Sequence, residues 1–378
     1  MPRRRRPAAP LLIPALLSLL ALSCHRAPAP PPVLRLGYAP HDHHAPLFVA
    51  ALGAATLRAM GSPYLVPGSS RSEYALRRGD RVVATVQLVP CAGGRELPRR
   101  LAEDLLDMAF GGFPAFVQQI DRGAPLRIVA PTMTGGAGLV VGSSLGVHDW
   151  KEFVARVRKD RRPLRIGYRA DGAVQRLLLE QALAGEDLSV GARIDDAGSQ
   201  VALVNLYGAE NLLPALRNGV VDGFVGVQPY LALAEEQGVG RVVTDLREAP
   251  CSGGGACAVP CCALALRTDF GAAHPEVVEA VVDMARGASR YLTDHPQQAA
   301  ALVARWLGTS PEVEQRSIPT IRFVTELDSS WNRGARGWAE TMVRSGGLTG
   351  AVATALKQNR LSEAIYDPTV LRHGRQRR

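Results

Sequence analysis

Aromatic residues make up only 5% of this 378-residue chain, and no basic face with interleaved aromatics can be drawn. The formal charge of +9 therefore gives little support to a nucleic-acid partner. Much of the excess sits at the two ends, in Arg3–Arg6 and in "RHGRQRR", which leaves the body closer to neutral. The paired C-x-x-C spacing of common zinc sites is missing. So is any segment polar enough to leave a whole domain disordered. The apolar run after Pro14 is too short for a membrane span. Histidine is scarce, eight in all, yet three fall within "HDHH" at 41–44. What the chain has in plenty is apolar side chains, 47% of the total, enough to fill the cores of two lobes.

The start reads as an export signal. "MPRRRRPAAPLLIPALLSLLALSC" has a basic segment, an apolar segment and small residues before Cys24. Because it ends at a cysteine, it resembles a bacterial lipoprotein signal over 1–24, with Cys24 as the lipidated residue. Residues 25–32, rich in proline, form a stiff tether. Export makes disulfides plausible for Cys91, Cys251, Cys257, Cys261 and Cys262, although an odd count leaves one thiol over. "SGGGA" is flexible enough to let Cys251 pair with Cys257, and zinc ranks below that disulfide. Cys91 reaches Cys261 or Cys262 only if the sheet order sets them side by side. In a regular strand Cys261 and Cys262 cannot both point the same way.

Short β-like runs alternate with helix-like runs, and Gly or Pro stands at the strand ends. That predicts an α/β fold with a parallel sheet. Strands are expected in "VLRLGY", "YLVPG", "RVVATVQLVP", "DMAFGG" and "PLRIVAPTM", with helices over "PLFVAALGAATLRAM", "ELPRRLAEDLL" and "FPAFVQQIDRG". The pattern restarts at "PLRIGYRADGAVQRLLLEQALAG", and Gly219 reads as the cap closing "GAENLLPALRNG". Residues 33–138 are assigned to the first lobe and 139–260 to the second. Residues 261–365 return to the first lobe as a strand and C-terminal helices, and 366–378 form a basic tail. Ligands of such sheets bind beyond the carboxyl ends of strands. The turns that could meet in a cleft are therefore 41–44, 111–113, 134–136, 171–175, 207–211 and 228–230.

The order of "LRLGY", "DMAFGGFPAFVQQIDRGAPLRIVAP", "GGAGLVV", "IGYRADGAVQRLLLEQAL", "NLLPALRNGVVDGFVGVQPYLALAEEQG" and "VPCCALALRTDFGAAHPEVVEAVV" resembles ABC-importer solute-binding proteins of the nitrate/sulfonate/taurine type. These share their fold with thiamine-precursor-binding proteins. The resemblance spans roughly 33–310. It implies the type II periplasmic-binding-protein fold, two α/β lobes joined by two hinge strands and closing on one small polar or anionic solute. It also implies a monomer, a permease and an ATPase as partners, a location outside the cytoplasmic membrane or in the periplasm, and neither catalysis nor a cofactor. Many relatives carry Trp-Glu-Pro-Tyr where this chain has Val227-Gln228-Pro229-Tyr230.

The expected solute contacts are His43, His44, Gly112, Thr134, Asp171, Gln175, Tyr207 and Gln228. His43 or His44 can hydrogen-bond a solute near a helix start. Gly112 lets backbone approach it, and Thr134 offers a hydroxyl. Asp42 and Asp171 are equally readable as helix caps. Two other classes remain open. One is an enzyme of the thiamine-pyrimidine-synthase type using His43 with Cys261 and Cys262. The other is a metal-binding lipoprotein using His41 and His43, for which the sequence offers no obvious third ligand.

Overall fold

The computed structural model describes residues 30–191, 196, 198–247 and 260–369. The signal and Cys24, the Cys251–Cys257 pairing and most of the basic tail lie outside the described residues. From Pro31 onward the chain forms one unit.

Its first sheet holds β1 (Val33–Tyr38), β2 (Tyr64–Pro67), β3 (Glu73–Arg78), β4 (Arg81–Pro90), β5 (Met108–Gly112) and β6 (Leu126–Gly135). The second holds β7 (Ala137–Gly142), β8 (Leu164–Tyr168), β9 (Val190–Gly191), β10 (Val201–Asn205), β11 (Gly223–Val227) and β12 (Gly240–Asp245). The chain then returns to the first sheet with β13 (Cys262–Arg267) and β14 (Ile321–Phe323). The spatial orders are β14-β6-β13-β5-β1-β4-β3-β2 and β12-β7-β11-β8-β10-β9.

Helices cover the faces of the first sheet, so its inner strands are apolar on both sides. Met108, Ala109 and Phe110 of β5 are consecutive and all fully buried, where a strand with one wet face would alternate. The 20-residue helix Pro275–Asp294 buries Val277, Val281, Met284, Ala288 and Leu292, the three-and-four spacing of one helical stripe. Each of these valine, methionine and leucine side chains contributes about 1.5–3 kcal/mol of burial.

The sheets are mixed, not parallel as the alternation suggested. β13 runs antiparallel to both β5 and β6, and β11 antiparallel to β7. The cause is topological: a strand that crosses between lobes enters its sheet from the opposite end. The crossing from β6 to β7 passes through Gly135 (φ 77°) and Gly136 (φ 63°), a left-handed pair that side chains disfavour. The segment between β2 and β4, where the sequence analysis expects no strand, contains β3, paired antiparallel to both. The helix expected over 46–60 breaks at Gly53 into Ala45–Leu52 and Ala54–Ala59. Gly219 does close the helix Leu212–Arg217, with φ 67° just past its end.

The helices Ser329–Arg344, Ala351–Lys357 and Leu361–Ile365 pack on the helix Phe113–Asp121 of the first lobe. Asp121 pins them: its carboxylate accepts the backbone N–H groups of Thr349, Gly350, Val352 and Ala353 at 2.8–3.0 Å. Tyr366, which the sequence placed in the tail, is only 1% exposed. Its hydroxyl accepts from Trp331 Nε1 at 2.9 Å, so the folded body runs past 365. Among the described residues no helix is long and apolar enough to cross a membrane.

Candidate functional site

The chain leaves β1 through a short turn, Asp42–His44, before the helix Ala45–Leu52 begins. Four consecutive polar side chains are buried there: His41 4%, Asp42 0%, His43 0% and His44 1% exposed. Burial of that many polar groups is costly unless each is partnered. His44 Nδ1 accepts the Ala39 N–H at 2.8 Å, so its ring proton sits on Nε2, which has no partner. His43 Nε2 lies 2.9 Å from the Gly136 carbonyl, to which it can only donate. The His43 Nδ1 lone pair is left pointing inward. His41 Nδ1 is also buried without a partner. Burial holds the imidazoles of His41 and His44 well below their ordinary pKa, so both are neutral.

Asp42 does not cap the following helix. It accepts the Ser317 hydroxyl and lies against Glu314, both from the helix Pro311–Ser317. Burial, then the neighbouring Glu314 charge, pushes the Asp42 carboxyl well up, and burial raises Glu314 as well.

The inward nitrogen of His43 faces two sulfurs. Cys261 Sγ is 3.5 Å away and Cys262 Sγ 3.8 Å. The rule that adjacent strand residues point oppositely does not hold here, for a local reason. Cys261 precedes β13, and the β13–β6 register slips between Cys262 and Ala263. That irregularity turns both sulfurs toward the imidazole. The Cys262 thiol donates to Cys261, which with His43 and Arg169 nearby holds Cys261 well below the ordinary thiol range. The same bond, with burial, pushes Cys262 up. Cys91 does not join them. β5 and β1 separate its strand end from β13, and its thiol is free, buried and pushed up to about 11 by burial.

The second lobe faces this cluster with a cation. Arg169, just past β8, is 8% exposed. Its NH1 donates to the Ala92 carbonyl at 3.1 Å, and its Nε has no partner. Among the described residues no carboxylate pairs with it, and burial lowers its pKa. Gln175 donates to Cys261 Sγ at 3.6 Å and leaves its buried Oε1 unpaired. Gln228 bridges the lobes: its N–H donates to Gly136 O at 3.0 Å, and its carbonyl accepts from Asp42 N at 3.3 Å. Beside it, a cavity of about 170 Å³ is lined by Gly136, Gln228, Arg316 and Thr320. A larger hollow, about 920 Å³, lies elsewhere, between Leu266, Val278, Val282 and Asp367. Neither hollow is lined by His41, His44, Arg169 or Gln175, the residues of the cluster that carry unpaired buried polar atoms.

His43, His44, Gln175 and Gln228 thus come together, and Gly112 adjoins them by pairing with Cys262. Thr134 instead lines a small hollow with Arg322 and Trp331. Asp171 is exposed and neither caps its helix nor enters the cluster: it accepts from Tyr168 and pairs with Arg176. Tyr207 is 84% exposed. Arg169 was missed although it stands two residues before Asp171 in the same strand-to-helix turn. The polar residue nearer the helix drew the assignment, whereas the strand end carries the inward side chain.

Two α/β lobes with turns from both converging on a buried polar cluster define the fold of periplasmic binding proteins. The ligand-binding component of an ABC-type import system from Staphylococcus aureus, solved with zinc bound, superposes with a TM-score of 0.67 at 15% identity, covering 90% of this chain and 97% of that one. The nitrate-binding protein of Synechocystis PCC 6803 gives 0.67 at 14%, over 92% and 89%. The alkanesulfonate-binding protein of Xanthomonas axonopodis pv. citri, bound to MOPS, gives 0.63 at 16%, over 89% and 99%. A stretch of 99 residues is 29% identical to an uncharacterized protein of Methanocaldococcus jannaschii, covering 26% of this chain and 68% of that protein. The chain belongs to the NMT1-like family, whose model matches residues 27–308.

Proposed function

We propose that this protein is the solute-binding component of an ABC importer, and that its solute is a small anion held between the two lobes. The observation that carries the reading is Arg169. A buried guanidinium with no carboxylate partner among the described residues is costly alone and is stabilised by an anion that enters beside it. His44 Nε2–H adds a neutral donor from the opposite lobe, and Gln175 and His41 add further unpaired polar atoms. Lobe closure about the Gly135–Gly136 crossing would shut the solute away from water. The reading includes delivery to a membrane permease driven by an ATPase, and capture without chemistry. It also includes export with lipid anchoring at Cys24, and the lobe boundaries given above. Similarity to nitrate- and sulfonate-binding proteins supports the anionic class.

A melting-temperature screen of the mature chain tests this, using small oxyanions against neutral solutes of matched size. One anion is expected to saturate at a single site and, at about 100 times its Kd, to stabilise the fold by about 2.7 kcal/mol. Stabilisation by neutral solutes alone, or by nothing in the screen, would contradict it.

A further inference from the structure

We propose that His43, Cys261 and Cys262 form a metal site that takes one zinc-class divalent cation. Geometry is the first argument. Zinc sits about 2.0–2.1 Å from imidazole nitrogen and about 2.3 Å from thiolate sulfur, so the nitrogen–sulfur edge of a tetrahedral site measures about 3.6 Å. The two edges found from His43 Nδ1 are 3.5 and 3.8 Å. All three ligand atoms lie within 4.8 Å of one another, so a single ion can touch each of them.

Orientation is the second argument. The Gly136 carbonyl accepts a hydrogen bond from His43 Nε2–H and so presents the Nδ1 lone pair, the outer-sphere arrangement that fixes metal-bound imidazoles. The strand irregularity at Cys262–Ala263 brings two adjacent sulfurs to that lone pair, which a regular strand would forbid. Two thiolates and an imidazole select thiophilic ions over magnesium or calcium. Binding displaces thiol protons to solvent, leaving two thiolates on the cation.

Three protein ligands leave one position open. A divalent cation with two thiolates is neutral, so Arg169 remains as the excess positive charge beside the centre. A monoanion in the open position would balance it. This last step rests on the solute-capture reading; the three-ligand site does not.

The test uses the full mature chain, kept reduced, stripped with a chelator and titrated with cobalt(II). One equivalent is expected to bind with a thiolate-to-cobalt charge-transfer absorption, which added zinc abolishes. Cys261→Ser and Cys262→Ser should each remove that band, and His43→Gln should weaken affinity at least about tenfold. The Cys251→Ser/Cys257→Ser double variant should keep the band. Thermal melts check that each metal-free variant folds. Should a variant fail to fold, the wild type still decides, because zinc should protect Cys261 and Cys262 from alkylation as read by peptide mass. Absence of the band in the wild type would overturn the site. So would its survival without Cys261 and Cys262, its loss in the double variant, or alkylation of both thiols at saturating zinc. All these readouts are taken without solute, so a failed solute screen leaves them unaffected.

Discussion

Replacing Arg169 by Gln separates a binding cation from a structural one. Among the described residues of the solute-free protein the guanidinium donates to Ala92 O and meets no carboxylate, while burial disfavours its charge. The substitution removes that bond, worth about 1 kcal/mol, but also removes the desolvation penalty. Unfolding free energy without solute should therefore change by no more than about 1 kcal/mol. In the bound state the guanidinium is the charged donor, and truncating one partner of a buried charge pair costs about 2–5 kcal/mol. At about 1.4 kcal/mol per decade, affinity should fall between roughly 30-fold and a few thousand-fold. Calorimetric titration with the most stabilising anion gives the affinity, and urea unfolding of the solute-free variant gives the stability. An affinity within about fivefold of wild type would refute the reasoning. So would a solute-free stability loss above about 3 kcal/mol, which would mark Arg169 as structural.

The remaining predictions concern neighbouring features. Asp42 and Glu314 have raised carboxyl pKa values in the fold, so the folded state binds their proton more tightly than the unfolded chain does. Their stabilisation is present at low pH and is lost as pH rises from about 4, the unfolded carboxyl value, through the raised folded values. Asp42→Asn should flatten that slope and raise the melting temperature at neutral pH; an unchanged slope in melts across the range would contradict it. Asp121→Ala leaves four backbone N–H groups without their acceptor and should cost about 3–5 kcal/mol in urea unfolding. A loss under about 1 kcal/mol would show that the C-terminal helices dock without it. Tyr366→Phe strands the buried Trp331 Nε1 and should cost about 1–3 kcal/mol in the same assay. Tyr207→Ala, at an 84% exposed position, should leave solute affinity within about twofold by titration.

Much of the fold was legible because strand and helix periods are local. "VLRLGY", "RVVATVQLVP" and "DMAFGG" are strands where their β-branched and apolar runs said so. Strand direction was not legible, since alternation reports burial and not which lobe a chain has just left. β3 and β12 were passed over because their charged residues obscure the alternation: "EYALRR" has three charged side chains in six residues. In the site, the histidine cluster announced itself by density. Cys261 and Cys262 lie 218 residues and more beyond His43, and only the sheet register brings them there. Asp171 and Tyr207 stand at turns of the right kind, yet their side chains point to solvent. A turn's position follows from sequence; the direction of a side chain within it depends on backbone detail.

The central claim is that an anion sits between the lobes against Arg169. A crystal grown with the most stabilising anion, in a form that carries selenium or bromine, tests it through anomalous scattering. The account predicts one strong peak with an acceptor oxygen about 2.7–3.2 Å from the Arg169 guanidinium and within reach of the His41–His44 turn. A peak confined to the hollow between Leu266, Val278 and Asp367, or to the outer surface, would contradict it.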